Sequence, residues 1–96
     1  MTSKPPSPTP RKIVAVTWDD IVTRADWVGD RETVIEEMKP MRCVSIGFLI
    51  VDNDEIVLLA DTVSKDKDFS GLTVIPKPVV KEIIDVAKVT PSQYLK

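Results

Sequence analysis

The chain has no histidine and only one cysteine, Cys43, among its 96 residues. These absences exclude a Ser-His or Cys-His catalytic pair, an intrachain disulfide and a cysteine-built zinc site. With no imidazole beside it, Cys43 reads as an inert strand thiol rather than a nucleophile. Glycine is also scarce, at three residues, and no Gly-rich loop is present to cradle a phosphate. No apolar run approaches the ~20 residues of a membrane span. The N-terminus lacks the roughly 7–15-residue apolar stretch of a signal peptide. A soluble cytoplasmic protein with no cofactor, no metal and no membrane partner is expected.

What is present fits one small domain, since apolar residues make up 43% of the chain. The formal charge of −2 is unevenly placed. Lys4, Arg11 and Lys12 give the first twelve residues +3, which leaves −5 on the rest. An acidic body is poorly suited to a long duplex backbone, although one nucleotide or a short single strand needs only local charge. Four of the eight prolines fall within residues 1–10, which read as a disordered, solubilising arm. The folded domain is expected over 11–90, followed by a frayed tail over 91–96.

Ile13, Val14 and Val16 mark a first strand over Lys12–Thr17. Thr17 then precedes Asp19 and Asp20 as the cap of a short helical turn, with Ile21 and Val22 packing back. Trp18 and Trp27 bracket that segment, as core anchors or as exposed interface residues. Asp30 is an N-cap for a helix that Pro40 stops at Lys39, and its Val34, Ile35 and Met38 stripe is available to cover a sheet face. After the loop SKDKDFSG, in which Phe69 either tucks inward or projects, Leu72–Ile75 reads as a strand. Lys77-Pro78-Val79 then suits a 3₁₀ turn, while VVKEIIDVAK fits either a helix or a β-branched closing strand.

Arg42–Thr62 is the organising stretch: two apolar strands around a polar turn. With Asn53-Asp54 as a two-residue turn, Val51 faces Ile56 and Gly47 faces Ala60. One face then holds Val44, Ile46, Phe48, Ile50, Val57, Leu59 and Val63 as the core. The other holds Ser45, Gly47, Leu49, Val51, Ile56, Leu58, Ala60 and Thr62. The aliphatic end of this second face also needs a cover, from within the chain or from another subunit.

The segment GFLIVDNDEIVLLAD, from Gly47 to Asp61, resembles the first signature of the Sm-like family. Val74-Ile75-Pro76-Lys77-Pro78-Val79-Val80 stands where the short second signature would be. This resemblance covers roughly residues 44–84. It implies a mainly β (α+β) fold: a five-stranded SH3-like or Sm-like small barrel with one short helix between strands 1 and 2, ending in a closing strand. It also implies assembly into a homo-oligomer through sheet edges. The family's RNA-contacting asparagine falls at Ile56 or Val57, and its Arg-Gly is replaced by Pro76-Lys77, so the RNA site does not carry over intact. The overall style is also similar to short proteins of bacteriophages.

Catalysis is not expected. Asp19-Asp20 point to opposite faces of a strand, and Asp52, Asp54 and Glu55 form a hairpin-tip cluster without the ligand spacing of a calcium loop. Two binding functions stay open. One is a homo-oligomeric module for RNA or a nucleotide-sized ligand, using Asp52, Lys65, Lys67, Phe69 and Lys77. The other is an acidic protein-interaction or inhibitor module against a host protein. Interface candidates are Trp18, Trp27, Leu49, Val51, Ile56 and Leu58.

Overall fold

The computed structural model describes residues 10–95, so the expected disordered arm over 1–10 lies almost wholly outside the described residues. Five strands form β1 (Arg11–Asp20), β2 (Met41–Asp52), β3 (Ile56–Val63), β4 (Phe69–Pro76) and β5 (Val80–Val89). A helix, α1 (Arg31–Glu37), lies between β1 and β2, and a 3₁₀ turn (Lys77–Val79) joins β4 to β5. Together the strands make one antiparallel sheet in the order β4-β3-β2-β1-β5, and the sheet is not closed into a barrel. Helix or strand for the last apolar segment is settled as strand, in keeping with its Val80, Ile83, Ile84, Val86 and Val89. Pro91–Gln93 adds a second 3₁₀ turn within the tail.

β2 is shared between two partners. Its residues from Met41 to Phe48 pair with β1, and those from Phe48 to Asp52 pair with β3. At the tip Asp52 faces Val57 and Val51 faces Leu58, and a bulge between Leu49 and Val51 then shifts the β2–β3 register, so Leu49 faces Leu59 and Phe48 faces Ala60. The expected Val51–Ile56 pairing is displaced by the turn, and Gly47–Ala60 by the turn and the bulge together. Asn53 also does not supply a positive φ. Its side-chain oxygen instead accepts from the Glu55 and Ile56 amides, each at 2.8 Å, so the tip is an Asx-type turn.

A slip of one residue exchanges the faces of a strand. Leu49 packs against the core, whereas Val44 and Ile46, expected inside, are 64% and 62% exposed. The inner face gathers Val14, Val16, Val57, Leu59 and Ile75, with Trp18, Val79, Val80 and Ile83 packed around them. This cluster draws on β4 and β5, the two edges of the sheet, so the sheet must curl until its inner faces meet. Arg11 at the start of β1 stands over the Phe69 ring at the start of β4, 5.1 Å from its centroid, and closes one end of the same curl.

Two expectations near α1 are corrected. Thr17 to Asp20 continue β1 rather than capping a helical turn, and Ile21 points to solvent. The α1 stripe does not cover a sheet face: no residue of α1 is buried, Val34 and Ile35 are exposed, and Met38 just past its end is half-buried. Seven residues, about two turns, bring too little apolar area to hold a helix on the sheet.

Candidate functional site

Residues 21–40, between β1 and β2, form an arm that stands off the sheet. Its shape comes from polar local contacts. Asp20 accepts from the Ile21 amide at 2.8 Å where β1 ends. Arg24 donates to Asp26 at 3.0 Å and to Glu37 at 2.9 Å, which ties the loop to the end of α1. These two carboxylates raise the Arg24 pKa above its ordinary value, Asp26 contributing most. Asp30 caps α1 by accepting from the Thr33 amide at 2.9 Å, and that bond lowers the Asp30 pKa.

Large apolar side chains are left on the outside of this frame. Trp27 is 101% exposed, and Ile21 (86%), Ile35 and Met41 are exposed with it. At the root of the arm, Asp20, Ile21, Val22, Met38, Lys39 and Pro40 line a pocket of ≈ 280 Å³. Over residues 19–40, seven acids face three bases, so the exposed aromatic sits in an acidic surround.

The two tryptophans divide the roles open to them. Trp18 packs against the core, and its indole N–H donates to Ser45 Oγ at 3.0 Å. Trp27 is on the arm. Val51, Ile56 and Leu58 lie half-buried on the outer face of the sheet, and Leu49 points the other way, into the core. The RNA-type candidates separate into two groups. Asp52 and Lys77 form an ion pair at the β2–β3 tip. Lys65 and Lys67 lie in the β3–β4 turn beside half-buried Phe69, with Asp66 and Asp68 interleaved. The eight residues of β3 set these groups about 25 Å apart at strand rise.

The chain matches no protein-family model, no curated protein and no solved structure. No comparison therefore points to an enzymatic activity. Among the described residues no three His, Cys, Asp or Glu side chains gather where a metal could be held. Cys43 is half-buried, with its thiol directed at the Met41 carbonyl at 3.5 Å. No helix among the described residues is long and apolar enough to cross a membrane.

Sequence reasoning named Trp27 but missed Ile21, Ile35 and Met41. Ile21 and Ile35 read as packed in the sequence because apolar residues at turn and helical spacing normally pack. The available signal was the shortness of α1 together with Gly29-Asp30 just before it, which leaves those side chains without an opposing surface.

Proposed function

We propose that the chain is a protein-interaction module whose curled sheet carries an acidic, tryptophan-tipped arm to a basic, apolar-pocketed surface of another protein. One observation carries this reading: Trp27 is fully exposed on a connection whose helix buries nothing. An indole is the residue type most often found as a binding anchor, and holding it on a braced segment lowers the ordering cost of association. The acids around it fix the sign of the partner and make association sensitive to salt. The resemblance to phage proteins favours a host protein as that partner.

The finer fold reading belongs here as well. The strand order, and the 3₁₀ turn between the two edge strands, favour an open relative of the SH3-like and Sm-like barrels, with residues 1–10 as a Pro-rich arm. Binding of RNA or a nucleotide by a homo-oligomer finds less support. Lys77 is occupied by Asp52, and Lys65, Lys67 and Phe69 stand at the opposite end of β3.

The test is a photo-crosslinking residue placed at exposed Ala25, beside an intact Trp27, and separately at position 65, in cells that make the protein. Discrete protein adducts are expected from position 25, competed by excess wild-type chain and not by Trp27→Ala. Equal adducts from both positions, or nucleic acid captured from position 65 alone, would sink the reading.

A further inference from the structure

We infer that the pocket at the root of the arm receives an arginine side chain of the protein that Trp27 anchors, with the aliphatic stem on the pocket wall and the guanidinium on Asp20. This inference rests on the reading of the arm as a binding element, and it names the group that the partner offers in return.

The pocket lies where the chain leaves β1 and comes back to β2. Ile21 and Val22 line it on the way out, Met38, Lys39 and Pro40 on the way back, and Asp20, the last residue of β1, borders it. Asp20 stands opposite Met41, the first residue of β2, so the last rung of the sheet sets the two walls against each other. Its ≈ 280 Å³ falls just below the about 300–1,000 Å³ of small-molecule sites. It is well above the roughly 150 Å³ cavity that holds one benzene. One long side chain suits that space.

The acids around the pocket are not equivalent. Asp19 is held by Arg42 and Lys81, Asp26 and Glu37 are held by Arg24, and Asp30 caps α1. Asp20 differs from all of these. One of its oxygens accepts from the Ile21 amide at 2.8 Å, which fixes the carboxylate, and the other has no partner among the described residues. Lys39 also lines the pocket, yet it makes no ion pair among the described residues and so leaves Asp20 free.

Size and charge together select the occupant. An apolar side chain would strip water from the free oxygen of Asp20 and leave it unpaired. An anionic one would meet Asp20 and the acidic surround with like charge. A lysine ammonium is the more strongly hydrated cation and carries no directed fork of donors. An arginine lays its methylene stem along Ile21, Val22 and Met38 and aims its N–H donors at the free oxygen. Ile21, 86% exposed in the free chain, gains cover in the same step.

Methyl NMR of the full chain, titrated separately with n-butylguanidinium, n-butanol and n-butyrate, tests this. Butylguanidinium is expected to shift the Ile21, Val22 and Met38 methyl signals saturably, with a dissociation constant of about 1–50 mM. Butanol is expected to bind at least about 5-fold more weakly, and butyrate to leave the signals in place. Asp20→Asn keeps an acceptor for the Ile21 amide and is expected to remove the advantage of butylguanidinium over butanol. Val22→Trp fills the pocket and is expected to abolish both responses while keeping the β circular-dichroism spectrum. Should it fail to fold, Asp20→Asn decides. Trp27→Ala is expected to leave the titrations unchanged, so the pocket is read apart from the anchor. In the chain that crosslinks from position 25, Asp20→Asn is expected to lower the yield of adducts at least about 10-fold. The inference is overturned by equal responses to the three probes, by no response, or by an advantage that survives Asp20→Asn. Adducts that depend on Trp27 but not on Asp20 overturn it too, and leave the arm reading standing. Absence of any adduct sinks the arm reading and this inference with it.

Discussion

Gly47 lies so close to Ala60 that a β-carbon built on it would stand 2.8 Å from the Ala60 carbonyl oxygen. The obstruction is backbone in the middle of β3, which no rotamer change relieves. This close approach comes one residue before β2 passes from β1 to β3 as its partner. Gly47→Ala is therefore expected to destabilise the fold by about 1–3 kcal/mol. Urea unfolding measures it, and an unchanged midpoint would show that the strands are not held this close.

The two tryptophans report separately. Ser45→Ala removes the acceptor of the Trp18 indole N–H and is expected to cost about 1 kcal/mol. Trp18→Ala removes core packing as well and is expected to cost about 2–4 kcal/mol. Trp27→Ala is expected within about 0.5 kcal/mol of wild type, because that side chain touches solvent alone. Emission should divide accordingly, with Trp27 red-shifted and readily quenched by acrylamide and Trp18 blue-shifted and protected.

Acid weakens the end of β1. Asp19 accepts a hydrogen bond from Arg42, and Lys81 Nζ stands 3.6 Å from its other oxygen. The Arg42 bond is the main reason that the Asp19 carboxyl titrates below its ordinary value, with partial desolvation opposing it. A carboxyl depressed by folding contributes stability above its unfolded pKa, and that contribution is lost as pH falls through the folded value. Asp19→Asn is therefore expected to be less stable than wild type at neutral pH, with the two converging in strong acid. Urea midpoints against pH measure this, and parallel curves would contradict it.

The elements of the fold were legible where local chemistry decides them. Asp30 caps α1, Lys77-Pro78-Val79 turns, and the β-branched run from Val80 extends, each for reasons held within a few residues. The face assignment of β2 was not legible. It depends on the bulge at Ile50 and on Asn53 accepting hydrogen bonds instead of adopting a positive φ, and neither changes the apolar pattern. Because Val44, Ile46 and Leu49 are all aliphatic, the hydrophobic pattern permitted both registers, and core contacts chose between them. At the candidate site, Trp27 stood out by residue type. The separation of Lys77 from Lys65 and Lys67 required the strand pairing to be known.

The most direct measurement is the affinity of Trp27→Ala for the protein crosslinked at position 25, made beside its urea midpoint on the same preparation. A loss of at least about 30-fold, matching the about 2 kcal/mol of an anchoring residue, with an unchanged midpoint is the expected result. Unchanged affinity, or a loss matched by a fall in stability, would contradict a sheet that serves as the platform for a binding arm.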